Sequence, residues 1–220
     1  MLLSHIDGYR KGKLLDYLPV MLAIFIAHIV LMVTPGPNVL LIAQVSATQS
    51  RTSGIRVALG IVAMGFIWPS LAIMGLSIIF ERWGWLYIVL RIAGALYLIY
   101  LGYKTWRSAS KPFVFTPSAT PSENTQAFFL LGFLTSLSNP KVLVFMGSFF
   151  TAMLPVHSPD WLKIAVIMMF GINSLWWHVL VAYAFSTSKV QQAYSVSKGW
   201  LERITGGLLI FLGIRLMTSK

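Results

Sequence analysis

The sequence predicts an all-α polytopic membrane protein. Of its 220 residues, 57% are hydrophobic and only 10% are charged, whereas soluble domains carry about 25% charged residues. A soluble chain of this length has too small an interior to bury so many apolar side chains. The long uncharged runs lack the alternation of barrel strands, and helices satisfy their own backbone hydrogen bonds in lipid.

The charge is strongly basic, with 17 Lys and Arg residues against six acids and a net charge of +11. These basic residues cluster between the apolar runs, which is typical of loops that contact anionic lipid headgroups. The pattern therefore predicts membrane lipid as a partner and argues against nucleic acid. The chain contains no cysteine, which excludes disulfides and thiolate metal sites.

Six apolar runs are long enough to span a bilayer, which takes about 20 residues of helix. With charged residues as boundaries, the predicted spans are 18–45, 56–80, 84–106, 127–154, 162–186 and 200–218. The uncharged stretch that begins at Tyr17 is too long for a signal peptide, so we predict that it stays in the membrane. Residues 1–17 are then an amino-terminal extension.

The spans divide into two predicted halves, 18–107 and 127–220. The segment 108–126 between them is rich in Ser, Thr and Pro, which favours a flexible polar linker. The block Arg91-Ile-Ala-Gly94 also reappears as Arg203-Ile-Thr-Gly206 in the last span of the second half. Two related halves of three helices each are antiparallel, which is the inverted-repeat design of many secondary transporters. Chance similarity between two helices rich in Leu and Gly is the alternative.

The first span contains a sequence that cannot form a regular helix. Pro35 and Pro37 flank Gly36, and each proline lacks an amide donor and clashes with the preceding turn. The carbonyls freed in this way need partners from protein or from a water-filled cavity. Thr34 and Asn38 add a hydroxyl and an amide at this level, and a helix restarting there would attract a carboxylate.

The fourth span contains a second break at Asn139-Pro140-Lys141. Two broken helices at corresponding positions predict a solute-binding site near the middle of the membrane. Simple kinks, or loops between shorter helices, are the alternative. Lys141 is the best charged candidate for binding a substrate carboxylate, since an ionisable residue inside a span usually faces a cavity or a partner. Extension of its side chain to the headgroups is equally compatible with the sequence.

Four more polar residues are candidates. Gln44 lies two turns after Pro37 and is predicted to line the same pore, and Asn173 lies on the polar face of the fifth span. His178 and His28 are candidate proton carriers, because histidine titrates near neutral pH. A hydrogen-bonded structural role is the alternative for both histidines.

The positions of the acidic residues argue against some functions. All six lie outside or at the ends of the predicted spans: Asp7, Asp16, Glu81, Glu123, Asp160 and Glu202. Metal and cation transporters usually need carboxylates or clustered histidines inside the membrane, so we predict neither a metal site nor a cofactor. The sequence contains no nucleophile-elbow or zinc-enzyme motif, so we also predict that the protein is not an enzyme.

Three segments together resemble the LysE/RhtB family of amino-acid exporters: Thr34–Asn38, Gly94–Gly102 and Gly132–Lys141. The resemblance covers nearly the whole chain from about Met21. It implies a six-helix secondary exporter of amino acids or close derivatives in a bacterial inner membrane, driven by proton exchange. It also assigns the signature roles to Pro35, Gly36, Pro37, Asn38, Asn139, Pro140 and Lys141.

The sequence departs from this family in one respect. Family members often carry an acid in the second or fifth span, whereas Met64–Trp68 and Asn173–Trp177 contain none. The coupling residue is therefore open, and neutral amino acids, including bulky apolar ones, fit better than lysine or arginine. A carrier of another small solute or of a metal ion on the same scaffold is the alternative function.

Orientation and assembly follow less directly from the sequence. The first, third and fifth loops hold most of the basic residues, which places them in the cytoplasm and both termini outside. The basic amino-terminal tail argues for the opposite orientation. A homodimer is compatible with the sequence.

Overall fold

The computed structural model describes residues 14–82, 84–110, 125–139, 141–142, 145–146, 154 and 158–218. These residues form seven helices: α1 (Leu14–Val33), α2 (Pro37–Thr48), α3 (Arg51–Arg82), α4 (Gly84–Ser108), α5 (Thr125–Leu137), α6 (Asp160–Phe185) and α7 (Ser188–Thr218). The described residues contain no strand, so the all-α prediction is confirmed. By length and composition, α1, α3 and α6 are apolar enough to cross a membrane.

Several predicted features lie outside the described residues. They are Pro140, most of the extension 1–17, most of the linker 108–126 and most of the fourth span after Val142. The number of spans and the inverted repeat therefore stay predictions here.

The first predicted span is interrupted where its prolines lie. Helix α1 ends at Val33 and α2 begins at Pro37 with Gly36 as its N-cap. A proline fits the first turn of a helix because the amide it lacks would have no intrahelical partner there. The two-proline sequence therefore divides the first span into two helices that meet at a break.

The last helix begins earlier than charge alone predicted, at Ser188 rather than at residue 200. Lys198 and Glu202 lie inside it, both buried, with Nζ and Oε2 2.8 Å apart. At the end of α4, Ser108 donates to the Glu202 carboxylate at 2.8 Å and its carbonyl accepts from Lys198 at 3.0 Å. Lys198 and Glu202 thus pair with each other inside the helix, so charge does not mark where it starts. The predicted span 200–218 lies within α7 and stays a prediction.

Helices α4 and α7 pack along most of their length through small residues. A Cβ atom added at Gly102 would lie 2.5 Å from the carbonyl oxygen of Gly206, and one added at Gly206 would lie 2.7 Å from that of Gly102. Further along, a Cβ atom at Gly213 would lie 2.7 Å from the carbonyl oxygen of Ala95. The pairings show that the two helices run antiparallel, and the absent side chains let their backbones touch.

Two groups of buried apolar side chains fill the bundle at different levels. Cluster 1 consists of Ile24, Ala27, Leu31, Ile73, Ala95, Leu98, Phe145, Met146, Leu162, Val166, Phe170, Leu209 and Leu216. Cluster 2 consists of Val39, Ile42, Ala43, Val45, Val57, Ala58, Ile61, Phe128, Val181, Ala182, Phe185 and Tyr194. Along the first broken span, cluster 1 precedes the break and cluster 2 follows it, so the break lies between the two apolar layers.

Candidate functional site

The break between α1 and α2 leaves the backbone carbonyl of Thr34 without its helical donor. In a continuous helix the carbonyl of Thr34 would accept from the amide of Asn38, four residues later. Here it accepts instead from Lys141, whose Nζ lies 2.7 Å away. The Thr34 amide and hydroxyl both bond the carbonyl of Val30, at 3.1 and 2.6 Å, and so complete the last turn of α1.

Lys141 is buried, with 7% of its surface exposed. Its side chain passes directly over Gly36, where an added Cβ atom would lie 3.3 Å from Nζ and 3.4 Å from Cδ. The lysine therefore points into the protein at the first break, and of the two orientations that the sequence left open, the structure has the inward one.

Side-chain amides connect the two breaks. Asn139 donates through Nδ2 to Oδ1 of Asn38 at 2.9 Å, and its own Oδ1 accepts from the amide of Lys141 at 3.0 Å. Asn38 donates to the hydroxyl of Ser136 at 3.2 Å, and the indole of Trp68 donates to the carbonyl of Ser136 at 3.4 Å. Residues about a hundred positions apart in the chain thus form one hydrogen-bonded group.

A cavity of about 50 Å³ lies at this junction. Its polar lining is His28, Thr34, Asn38, Ser136, Asn139, Lys141, Ser174 and His178. Its apolar lining is Leu31, Met32, Val39, Ile61, Met64, Val142 and Met146, with Gly36 at the break. None of these lining residues is acidic, and Lys141 provides the cationic side chain among them. An engineered cavity of about 150 Å³ binds benzene, so the smaller cavity here has room for a few water molecules but not for an amino acid.

The two histidines lie on the same wall of the cavity. Nδ1 of His178 lies 3.0 Å from the hydroxyl and 2.8 Å from the carbonyl of Ser174, one turn earlier on α6. The ring of His28 stacks on Phe170 with the ring centroids 3.8 Å apart. Both side chains are thus held by neighbours and also reach the cavity, and their role as proton carriers stays a prediction.

The structure does not bring every predicted site residue to the cavity. Gln44 and Asn173 are not part of its lining. The indole of Trp176 donates to Oδ1 of Asn173 at 3.4 Å, and the carbonyl of Gln44 accepts from Thr48 at 2.8 Å. The prolines shape the backbone: Pro37 opens α2, and Pro35 lies in the break ahead of it.

Two polar residues of the site were not selected as candidates from the sequence: Ser136 was not singled out, and Ser174 was noted only as part of the polar face before His178. Ser136 bonds Asn38, and Ser174 bonds His178 while lining the cavity. The sequence around Ser136 reads Ser136-Leu-Ser138-Asn139, and no local signal favours one of its serines. Ser174 adjoins the candidate Asn173, so the polar segment was identified although its cavity-lining member was not selected.

Comparison with known proteins identifies relatives over nearly the whole chain. The family described as LysE type translocator matches residues 29–220. The threonine efflux protein of Salmonella typhi is 30% identical over 195 residues, which is 88% of this chain and 95% of that protein. The threonine efflux protein of Escherichia coli K12 is 28% identical over 201 residues, covering 90% and 98% of the two chains. The uncharacterized membrane protein YahN of the same strain is 27% identical, covering 83% and 82%. No solved structure matches the chain.

Proposed function

Because the chain belongs to the LysE type translocator family, we propose that it exports small neutral amino acids across a bacterial inner membrane. The family makes it a membrane transport protein and not an enzyme. Two relatives are named threonine efflux proteins, which supports an amino acid of about threonine's size as the substrate. The observation that carries the proposal is the buried contact between Lys141 and the Thr34 carbonyl at the junction of the two breaks.

The proposed site has partners for both charged groups of an amino acid. Lys141 and the amino-terminal end of α2 would attract the carboxylate, since a cation and free backbone amides both favour an anion. Oxygens from Thr34, Asn38 and Asn139 would accept from the ammonium group. In this structure Lys141 donates to the Thr34 carbonyl. A bound substrate would replace this one buried contact by two, with its carboxylate on Lys141 and its ammonium on Thr34.

A neutral side chain suits the lining of the cavity. The described lining contains no carboxylate, so a lysine or arginine substrate would bring a second cation beside Lys141 without a counter-charge. The side chain would instead contact Met32, Val39 and Met64. We propose small rather than bulky substrates, because even a small amino acid requires this cavity to widen.

We propose that the protein works by alternating access, as many secondary transporters with inverted repeats do. Along α6 and the broken first span, cluster 1 precedes the cavity residues and cluster 2 follows them, and we propose that these two apolar layers open alternately. Inverted repeats supply such a motion, because each half can adopt the arrangement of the other. The contacts between α4 and α7 support this repeat. At a repeat spacing of 111 residues, Gly102 of the first half corresponds to Gly213 of the second, and Ala95 corresponds to Gly206. The contact between Gly102 and Gly206 therefore has an equivalent in the contact between Gly213 and Ala95.

We further propose that export is coupled to protons and that His178 carries the proton, with His28 beside it. These two residues and Lys141 are the ionisable side chains in the described lining of the cavity. Movement of a proton through His178 would alter its bond to Ser174, and α6 would transmit this change to the cavity.

The proposal is tested by efflux from cells loaded with labelled amino acids, with and without a protonophore. We expect threonine and similar neutral amino acids to leave faster from cells that express the protein, and the protonophore to abolish the difference. Asn38→Ala should strongly reduce this export, whereas Lys189→Met, a change at an exposed residue, should not. Export of no amino acid in the panel would contradict the proposed function.

A further inference from the structure

Helix α6 contains two buried hydrogen-bond donors that the proposed cavity does not use. They are Nδ2 of Asn173 and Nε1 of Trp177, and neither has a hydrogen-bond partner among the described residues. The two residues are four positions apart, so they share one face of the helix. A buried donor without an acceptor is costly and rare, above all in a membrane protein, and two on one face need an explanation.

These donors lie beside one side of the cavity. Asn173 directly precedes Ser174, which lines the cavity, and Trp177 packs against cluster 2. Cluster 2 separates the cavity from the end of the bundle where Arg51 bonds Ser186 through a contact of 3.0 Å. Asn173 is level with the cavity, and Trp177 lies one turn further along α6 towards that end. A solute leaving the cavity in that direction would therefore pass from the level of Asn173 to that of Trp177 and then cluster 2.

Helix α2 contributes a third unpaired group to this region. The hydroxyl of Ser46 is buried, with the residue 5% exposed, and it has no partner among the described residues. Ser46 lies two turns after Asn38, towards the same end of the bundle, and neighbouring residues of α2 belong to cluster 2. Unpaired polar groups on both α2 and α6 indicate that water or a solute satisfies them when these helices separate.

The chemistry of the two α6 donors limits what they can bind. An indole N–H only donates hydrogen bonds, and so does an amide NH₂ group, so together they fit an acceptor such as a carboxylate. We propose that Asn173 and Trp177 form a transient subsite for the substrate carboxylate on the route between the cavity and the Arg51–Ser186 end. This inference rests on the proposed function, because that function makes the substrate an amino acid.

The first test is Trp177→Phe, which keeps an aromatic ring and removes only the donor. We expect transport at low substrate concentration to fall about tenfold, as for a lost hydrogen bond to a charged group. Thermal stability should stay equal to that of the wild type or rise, since an unsatisfied buried donor has been removed. Trp161→Phe is the matched control, because Trp161 lies at the partly exposed start of α6 and stacks edge-on against Tyr17. Wild-type transport by Trp177→Phe, or a loss that follows lowered stability, would overturn the proposal.

The second test needs no functional transport and uses the absence of native cysteine. Asn173→Cys should react with a hydrophilic thiol reagent added to membranes, and threonine should slow the reaction. Ile172→Cys, whose native side chain is 53% exposed on the outer face of α6, should stay unreactive in lipid. No reaction at Asn173→Cys would overturn the route itself.

The two proposals fail in different ways. If wild-type protein exports no amino acid, the proposed function is wrong whatever the labelling shows. If the wild type exports threonine but threonine does not protect Asn173→Cys, the exporter stands and the subsite is wrong.

Discussion

The ammonium of Lys141 donates to the carbonyl of Thr34 across 2.7 Å, and the two residues are 107 positions apart. The carbonyl is free because the break at Pro35–Pro37 removed its helical donor. The lysine is buried because this carbonyl and the cavity replace water around it. Each residue thus supplies a partner that the other lacks, and in the proposed function a substrate carboxylate competes with this carbonyl for the ammonium of Lys141.

Replacement of the lysine tests this exchange. Lys141→Met keeps much of the side-chain length but removes the charge and the donor, so we expect amino-acid efflux to fall about 10- to 100-fold. Initial rates of labelled threonine efflux, normalised to protein in the membrane, measure the effect. Lys189→Met should transport normally because Lys189 is exposed on α7. Normal efflux from Lys141→Met would refute the carboxylate assignment.

The close approach of the Lys141 side chain to Gly36 allows a second test of the contact between Lys141 and Thr34. Gly36→Ala would place a methyl group 3.3 Å from Nζ of Lys141, so the lysine must shift by a few tenths of an ångström, and we expect its bond to Thr34 to weaken. We expect a severalfold loss in apparent substrate affinity, with expression near that of the wild type. Gly75→Ala is the control, since a Cβ atom there would have no neighbour within 4 Å. Equal transport kinetics for the two variants would argue against a tight fit at the break.

The amide contact between the breaks predicts non-additive substitutions. Asn38→Ala and Asn139→Ala each remove one member of a hydrogen bond of 2.9 Å. The double variant should therefore be impaired less than the two single effects combined. We expect a coupling energy of about 0.5–3 kcal/mol in a double-mutant cycle on transport efficiency. Strict additivity would mean that the two breaks act independently.

The packing of α4 on α7 can be tested at two adjacent glycines. Gly206→Ala would put a Cβ atom 2.7 Å from the carbonyl oxygen of Gly102, and such overpacking costs about 1–3 kcal/mol. At Gly207 the nearest atom would be 3.4 Å away, on the ring of Trp106, so Gly207→Ala should be tolerated. Thermal unfolding in detergent compares the two variants. A melting temperature for Gly206→Ala at or above that of Gly207→Ala would contradict the close approach.

The buried ion pair on α7 should matter more than the exposed pair on α6. Glu202→Ala leaves Lys198 buried without its carboxylate, and we expect a loss of about 3–5 kcal/mol in stability. Asp160→Ala breaks the pair with Lys163, where the Asp160 side chain is 89% exposed, and should cost less than about 1 kcal/mol. Unfolding by denaturant, followed by tryptophan fluorescence, distinguishes them. Equal stability losses would show that Lys198 finds another partner.

Local chemistry made part of this structure predictable. The break at Pro35–Pro37 follows from the missing amides of two prolines, and the all-α class follows from uncharged runs in a chain with few acids. The start of α7 was not predictable from charge, because Lys198 and Glu202 form a pair that is visible only when the helix is placed against α4.

The candidate site was predictable in its backbone and less so in its side chains. The two breaks were expected at corresponding positions, but the bond between Asn38 and Asn139 depends on how the helices turn about their axes. The same rotation decides that Ser174 faces the cavity while Asn173 does not. A polar pattern along one helix identifies the segment that lies near the site, but the packing of the helices determines which residue of that segment faces the cavity.

The central claim is that an amino acid binds at the junction of the two breaks, and a binding measurement on purified protein tests it most directly. Labelled threonine should bind saturably to the wild type and to Lys189→Met. It should not bind measurably to Lys141→Met or Asn38→Ala at the same concentrations, although these variants remain folded by thermal unfolding. Wild-type affinity in folded Lys141→Met and Asn38→Ala would place the substrate elsewhere in the protein and contradict the account.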